Sequence, residues 1–291
     1  MTSSIPRTDA PVRGIVLVIF GGFCFVVMNA LVKYLSADYP APEIVWARYV
    51  FHVLFILVLF PHRIPTLLAS RRKGLQVLRS VLVFLATFCM FVAVSFLPLA
   101  DVVAVSFLAP LLVTALSVLI LKEKVGPRRW TAVAVGLAAV LIILKPGAGL
   151  AHWAVLLPLG MAVFYSLYQI VTRMISASED PLNSLFYMAL VGTLVASAAL
   201  PFFWVSPTWE AWAMLAGTGF FGGLGHFAII KALERASLSV VAPYAYLDLV
   251  WAAAIGFAVF GDIPDAWTLT GAAIIVLSGL YVLHRERARA G

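Results

Sequence analysis

The chain has 291 residues, of which 63% are hydrophobic and only 11% charged, and its net charge is +7. A soluble domain holds about 45–50% apolar and roughly 25% charged residues, so this composition excludes a water-soluble globular protein. A nucleic-acid partner would need a basic surface interleaved with aromatic residues, and the sequence has no such segment. The expected solvent is the lipid bilayer.

Ten apolar runs are each long enough to cross that bilayer as a helix, which takes about 20 residues. They cover residues 14–35, 43–60, 76–96, 101–121, 129–145, 153–172, 183–204, 210–230, 239–260 and 267–284. A transmembrane β-barrel would instead show alternating segments of about ten residues. The first run is also longer than a cleavable signal core of about 7–15 residues. We therefore predict an all-α integral membrane protein with ten transmembrane helices.

The basic residues predict the orientation. If the N-terminus is cytoplasmic, 17 of the 20 Lys and Arg residues fall on the cytoplasmic side, and the other side keeps only Lys33, Arg48 and Lys145. This asymmetry follows the positive-inside rule. We expect a multi-pass protein of the inner (cytoplasmic) membrane with both termini in the cytoplasm.

An internal repeat predicts the architecture. The stretch CFVVMNALVKYLSA (24–37) resembles FYSLYQIVTRMISA (164–177) at an offset of 140 residues, and a second match follows at an offset of 139. These offsets pair Phe25 with Tyr165, Asn29 with Gln169, Lys33 with Arg173, and Glu123 with Asp262. We expect two five-helix units, 1–147 and 148–291. Because five is odd, the second unit is inverted, which is a common transporter plan with the substrate site near the midplane. The alternative is a duplicated structural bundle that transports nothing.

Two pairs of candidate substrate-binding residues follow from the repeat. Phe25 and Asn29 are four residues apart, as are Tyr165 and Gln169, so each pair shares one helix face. An amide both donates and accepts hydrogen bonds, which suits the carboxylate and ammonium of a zwitterion. The alternative role for Asn29 and Gln169 is an interhelical hydrogen bond worth about 0.6–2 kcal/mol.

The ninth run contains VAPYAYLDLVW (241–251), which combines a proline with a deep acid. Pro243 breaks the helical hydrogen-bond ladder, as Pro110 does in the fourth run. Such breaks are tolerated where neighbours or a wet cavity satisfy the backbone. Tyr244 and Asp248 are therefore candidate substrate contacts. Asp248 could bind a substrate ammonium, carry a proton, or be a protonated or paired structural residue.

Aromatic and histidine residues complete the candidate set. Phe88 and Phe91 on the third helix could line an apolar cavity, and His226 could contact substrate or serve as a polar packing partner, as could His52. The stretch GTGFFG (217–222) reads as a dinucleotide fingerprint, but it lacks the strand and βαβ unit that such a site needs. Its glycines, with Gly223, are better explained by close helix packing.

The chain resembles the drug/metabolite transporter superfamily, specifically its ten-helix EamA-type group. The resemblance rests on LSADYPAPEIVWARYVFHVLFIL (35–57), SFLPLADVVAVSFLAPLLVTALSVLILKEKVGPRRW (95–130) and ALERASLSVVAPYAYLDLVWAAAIGFAVFGD (232–262). In each half, a span with a central proline is followed by an acid, Glu123 or Asp262. The sequence is most similar to the YddG-type exporters of aromatic amino acids.

That resemblance implies an exporter of small organic metabolites, with aromatic and other large apolar amino acids as the expected substrates. Export of drugs or cationic compounds is the alternative within the superfamily. An integral-membrane enzyme would need clustered catalytic groups, which the sequence lacks, and the aromatic filling argues against a passive channel. We expect no catalytic residue, cofactor or metal, and a monomer whose partners are a small-molecule substrate and the bilayer. Proton coupling stays open.

Overall fold

The computed structural model describes residues 11–122, 127–144, 153–176, 178–236 and 238–290, and within these ranges the chain is helical, with no strand. The helices are α1 (Pro11–Leu35), α2 (Ala41–Leu59), α3 (Lys73–Phe96), α4 (Leu99–Ser106), α5 (Ala109–Ile120), α6 (Pro127–Leu144), α7 (Leu156–Ile175), α8 (Pro181–Ala199), α9 (Trp209–Arg235), α10 (Leu238–Val241), α11 (Leu247–Phe260) and α12 (Ala266–Ala290). Short 3-10 turns lie at Pro61–Thr66, Trp153–Val155, Leu200–Phe202 and Ala242–Tyr246.

Every predicted run corresponds to helix in the structure. Among the described residues, seven segments are long and apolar enough to cross a membrane, and α6 and α12 contribute the shorter apolar stretches Trp130–Ile143 and Ala266–Tyr281. The remaining run is α7, a helix of 20 residues. The long apolar runs therefore form an all-α integral membrane fold.

The fourth and ninth spans are each divided in two. In the fourth span α4 ends at Ser106, and α5 begins at Ala109 with Pro110 in its first turn, where a missing N–H costs little. In the ninth span Pro243 begins the 3-10 turn between α10 and α11. Both interruptions fall inside a span, so each frees backbone groups within the bundle.

Helix packing repeats when the two halves are exchanged. The helix α1 packs along α9 just as α7 packs along α3, and α2 packs on α9 just as α8 packs on α3. Three contacts between spans map onto themselves: the second span with the seventh (α2 with α8), the fourth with the ninth (through α4 and α11), and the fifth with the tenth (α6 with α12). This pattern is that of two inverted five-helix repeats.

One end of the bundle, the predicted outer end, is tied by hydrogen bonds between the connection after α1 and the connection before α9. The backbone N–H of Thr208 donates to Tyr39 Oη at 3.2 Å, and the N–H of Val205 donates to Glu43 Oε2 at 3.0 Å. The indole of Trp46 adds a bond to Ser197 Oγ at 3.0 Å. The two halves are thus joined at this end.

The opposite end, the predicted cytoplasmic end, is tied in an equivalent way. The backbone N–H groups of Arg71 and Arg72 donate to Glu179 Oε1 at 3.1 and 3.0 Å, and Asn183 Nδ2 donates to the carbonyl of Ala69 at 2.8 Å. One offset of 140 residues relates Tyr39 to Glu179 and Glu43 to Asn183, and one of 136 relates Ala69 to Val205 and Arg72 to Thr208. Both ends of the bundle carry these hydrogen bonds in the same conformation. The bonds therefore hold the two halves together, and they do not close one end of the bundle while the other is open.

Removing the Glu179 carboxylate is expected to weaken the hydrogen bonds that join the two halves at the predicted cytoplasmic end. Burial alone would raise the pKa of Glu179, but hydrogen bonds from Ser70, Gln76 and the backbone of Arg72 and Arg71 outweigh it and hold that pKa below its ordinary value of 4.5. A carboxyl with a depressed pKa stabilises the fold above its unfolded pKa and loses that contribution as the pH falls through its folded pKa. Glu179→Ala should cost about 1 kcal/mol at neutral pH, after discounting for exposure.

The matched control is Glu179→Gln, which keeps an oxygen acceptor and removes the charge. Thermal unfolding in detergent at pH 7 should give a midpoint for Glu179→Gln that lies between those of wild type and Glu179→Ala. Below the ordinary pKa of 4.5 the gap between wild type and Glu179→Gln should narrow. A gap that does not change with pH would show that the carboxylate contributes nothing through its charge.

Candidate substrate site between the two halves

Asp248 lies in the first turn of α11, directly after the 3-10 turn that interrupts the ninth span. Its Oδ1 is buried and has no hydrogen-bond partner among the residues that the structure describes. The carboxyl group lies against Gly22 of α1, where an added Cβ would overlap Oδ1 and come within 2.7 Å of Cγ. Gly22 is eleven residues before Lys33, so the carboxyl is roughly 16 Å along α1 from the predicted outer end. That depth is near the middle of a bilayer core of about 30 Å.

An aromatic wall on α7 lies near this carboxyl group. The rings of Tyr165 and Tyr168 stack at 5.4 Å with an interplanar angle of 29°. Tyr165 keeps 37% of its surface exposed, and its neighbour Tyr168 accepts a hydrogen bond from Arg79 at 2.8 Å. The pair therefore offers exposed aromatic surface beside the buried guanidinium of Arg79. Gln169, one turn further along α7, is half-buried.

A second polar cluster lies between α1, α2 and α9. The imidazoles of His52 and His226 stack at 5.8 Å, and Phe25 meets the ring of His226 edge-on at 4.9 Å. Neither ring nitrogen of His52 has a hydrogen-bond partner, and the same is true of Asn29 Oδ1 on α1. Arg48, one turn before His52, points its guanidinium over the rings of Tyr49 at 4.6 Å and Phe91 at 5.8 Å.

Sequence reasoning missed Arg48 and Arg79 as interior residues, because both were counted with the charges that flank the membrane. In the structure both are buried: Arg48 is 3% exposed and Arg79 is 6% exposed. Arg79 Nε donates to Thr172 Oγ1 at 2.6 Å, and its two terminal nitrogens donate to the Ser184 carbonyl and Tyr168 Oη, each at 2.8 Å. The available signal was an arginine placed inside an apolar run, which is rare without a function or a partner.

The other predicted residues occupy different settings. Phe88 is half-buried and stacks on Phe84 at 6.5 Å, whereas Phe91 is fully buried in the central core. Tyr244 lies in the 3-10 turn after Pro243 and keeps 38% of its surface exposed. The structure thus brings Phe25 and His226 into contact, places Asp248 against α1 three residues before Phe25, and leaves Phe91 within the packing.

Glycines on α9 let this helix pack closely on α1 and α2, and this close packing brings together the polar cluster between the three helices. An added Cβ at Gly219 would lie 2.9 Å from the carbonyl oxygen of Arg48 and from the N–H of His52, and one at Gly223 would lie 2.7 Å from the ring of Phe55. Gly225 and Gly21 likewise face each other where α9 crosses α1, each added Cβ lying 3.1 Å from the other's carbonyl oxygen. The sequence GTGFFG is thus a helix-packing stretch, as expected from its context.

An ion pair between Lys33 and Asp262 joins α1 to the end of α11 at the predicted outer end. Lys33 also donates to the carbonyl of Leu97 at 3.4 Å and lies 4.9 Å from the ring of Phe260. Gly261, at a φ of 71°, adopts the left-handed conformation that ends α11 and turns Asp262 back. Arg173 and Glu123 are the repeat equivalents, and Glu123 lies outside the described residues. Among those residues, no group of three His, Cys, Asp or Glu could hold a metal ion.

Comparison with known proteins gives relatives that cover nearly the whole chain. It is 28% identical over 259 residues to an S-adenosylmethionine uptake transporter of Rickettsia bellii, with 89% of each chain covered. It is 33% identical over 275 residues to a pseudopaline exporter of Pseudomonas aeruginosa (91% and 94% covered) and 31% identical over 284 residues to a riboflavin transporter of Vibrio cholerae (95% and 94%). A crystal structure with a TM-score of 0.65 and 17% identity covers 96% of this chain and 98% of its own, and it shows the fold alone.

The names of these three relatives show transport of small metabolites, and the narrower resemblance to YddG-type aromatic amino acid exporters stays a prediction. The model of the EamA-like transporter family matches the chain twice, over residues 12–145 and 152–283. With two matches that span nearly all of an all-helical, inverted-repeat membrane protein, the chain belongs to the EamA-like transporter family.

Proposed function

We propose that this membrane transporter carries small metabolites with an amino-acid head group, among them aromatic and other large apolar amino acids, by alternating access around a midplane cavity. The observation that carries the proposal is the Asp248 carboxyl group, which lies at a helix break and whose Oδ1 is buried with no hydrogen-bond partner among the described residues. A carboxylate at this depth is costly unless a cation or water compensates it. A substrate ammonium supplies that cation.

The other candidate residues support the same class of substrate. Asn29 Oδ1 is buried without a partner and offers an acceptor on the same face of α1 as Phe25. Gln169 is its repeat equivalent on α7, so amides from both halves flank the interior. Phe25 and Tyr165 supply apolar and aromatic surface for a large side chain.

The relatives support the proposal in part. One is named for S-adenosylmethionine, a methionine derivative, whereas another is named for riboflavin, which has no amino-acid head group. The family therefore carries different metabolites, and the substrate must be tested on this chain. One relative is named for uptake and another for export. We propose export, an inner-membrane location with both termini cytoplasmic, units 1–147 and 148–291, and a monomer.

Asp248→Asn is expected to lower counterflow of phenylalanine about tenfold or more, because the neutral amide loses the charge that holds the ammonium. The measurement uses purified protein in liposomes preloaded with unlabelled phenylalanine, tryptophan, methionine, threonine, glucose or buffer, with uptake of the matching labelled solute and no ion gradient. Wild-type counterflow should occur for the large apolar amino acids and not for glucose.

The control is Glu210→Gln, which neutralises an exposed acid at the start of α9 and should leave counterflow unchanged. If Asp248→Asn also leaves counterflow and its pH dependence unchanged, Asp248 has no part in substrate or proton binding. If wild type exchanges phenethylamine and not phenylalanine, the protein is a carrier of organic cations, which a lone carboxylate would also serve.

A further inference from the structure

We propose that Arg48 forms a second subsite, which binds the carboxylate of the transported metabolite. This deepens the proposed function and rests on it. Arg48 lies inside α2, about 10 Å from the predicted outer end at a rise of 1.5 Å per residue. Its guanidinium faces α1 and α9, so it lies at the junction of the two halves.

The guanidinium of Arg48 is buried with its hydrogen-bonding capacity largely unused. Nη1 has no partner, and Nε donates only to the thioether sulfur of Met28 at 3.5 Å, which is a weak acceptor. No carboxylate of the described residues forms an ion pair with it. The acid on the same helix, Glu43, instead accepts the N–H of Val205. A guanidinium has five N–H donors and stays charged in proteins, so this site lacks an anion.

Arg79 shows that the fold can satisfy a buried guanidinium with neutral groups. Each of its three nitrogens donates to a hydroxyl or carbonyl oxygen within 2.8 Å, and its charge also lies 4.7 Å from the ring of Tyr168. Arg48 has cation–π contacts with Tyr49 and Phe91 but, within the described part of the chain, no oxygen acceptor. The difference between the two arginines is the missing acceptor, and a carboxylate that binds two N–H groups side by side would supply it.

Unpaired polar groups extend from Arg48 along the interior. His52 has two free ring nitrogens, and its stacked partner His226 is half-buried and touches Phe25. Asn29 Oδ1 faces the same interior without a partner. A polar path therefore leads from the guanidinium towards the aromatic face of α1.

The spacing of the two charges indicates how a substrate would lie. Asp248 contacts Gly22, and Arg48 contacts Met28, six residues further along α1, which is a rise of about 9 Å. Allowing about 2.8 Å for a hydrogen bond at each end leaves roughly 3–4 Å along the helix axis between the two charges of a substrate. An α-amino acid, whose ammonium and carboxylate share one carbon, spans about that distance and can engage both groups. The substrate class is therefore a metabolite with an amino-acid head group, whose ammonium binds Asp248 and whose carboxylate binds Arg48.

The test uses three five-carbon probes: norvaline (2-aminopentanoate) with both charges, pentylamine with the cation alone, and pentanoate with the anion alone. Purified wild-type protein in detergent should gain more thermal stability from norvaline than from either single-charge probe, because ligand binding raises the unfolding midpoint. In Arg48→Gln the half-saturating concentration of norvaline should rise about tenfold or more, to that of pentylamine. In Asp248→Asn it should rise to that of pentanoate.

Two further variants separate a binding role from a structural one. Arg48→Met should leave the ligand-free unfolding midpoint equal or raise it, since an uncompensated buried charge is replaced by an apolar chain, whereas Arg79→Met should lower it. Arg48→Lys keeps the positive charge but lacks the planar pair of N–H donors of the guanidinium. It should retain part of the preference for carboxylate probes.

Equal stabilisation of wild type and Arg48→Gln by norvaline would overturn the subsite, as would a strongly lowered midpoint of ligand-free Arg48→Met. The binding readout does not depend on transport. Wild-type protein that shows no amino-acid counterflow but keeps an Arg48-dependent response to carboxylate probes would contradict the proposed function and leave the subsite standing.

Discussion

Alanine at Gly219 is expected to prevent the normal packing of α9 on α2 and to cost about 3 kcal/mol or more, the upper end of the range for overpacking. The added Cβ would overlap Cβ of Phe51 and lie 2.9 Å from both the carbonyl oxygen of Arg48 and the N–H of His52. Two of these atoms belong to the backbone, so no side-chain rotation relieves the contact. The helices must separate, and the measurement is the thermal midpoint and the monodisperse yield in detergent.

Gly160→Ala is the matched control, because it makes the same change inside α7. The atom nearest to a Cβ there is Sγ of Cys89 at 3.5 Å, which is an ordinary van der Waals contact. Alanine is favoured over glycine in a helix by about 1 kcal/mol, so this variant should be as stable as wild type or slightly more stable. A Gly219→Ala protein with the wild-type midpoint would show that α2 and α9 are not held at the distance described here.

The helical elements could be predicted from sequence because hydrocarbon imposes simple rules. In lipid each backbone polar group must be satisfied within the chain, so a long apolar run becomes a helix. The interruptions at Pro110 and Pro243 follow from the missing N–H and the fixed φ of proline. The repeat offset, seen in pairs such as Asn29 with Gln169, indicated two inverted units. These signals are local or periodic, so they can be recognised in a single sequence.

The partners of individual side chains could not be predicted in the same way. The contacts of Arg48 depend on where α9 crosses α2, and that crossing is set by Gly219 and Gly222, about 170 residues further along the chain. His226 was a candidate, but its stacking on His52 required the same crossing. Counting charges by side of the membrane also misses a buried cation. Arg48 is only seven residues from the start of α2, so the count assigns it to the outer side although it lies in the interior. Long-range packing thus decides which polar residues meet.

Reversing one charge of the pair between Lys33 and Asp262 is expected to lower counterflow about tenfold and to destabilise the protein. In Asp262→Lys two ammonium groups would meet where α1, α3 and α11 end, next to the ring of Phe260 and the carbonyl of Leu97. Breaking a buried pair costs about 3–5 kcal/mol, and the side chains of Lys33 and Asp262 are 17% and 24% exposed, so we expect about 1–3 kcal/mol.

The double variant Lys33→Asp with Asp262→Lys is the control, because it restores opposite charges at the same two positions. If the attraction between the ends of α1 and α11 is what matters, the double variant should recover most of the thermal midpoint and of the counterflow rate, and the coupling between the two changes should exceed about 0.5 kcal/mol. The pair is roughly 16 Å along α1 from the Gly22 contact with Asp248. A change that separates the outer ends of α1 and α11 therefore also moves the helix that carries the candidate carboxylate. Single variants that fold and lose transport, with no recovery in the double variant, would mean that the individual side chains act on the substrate rather than on each other.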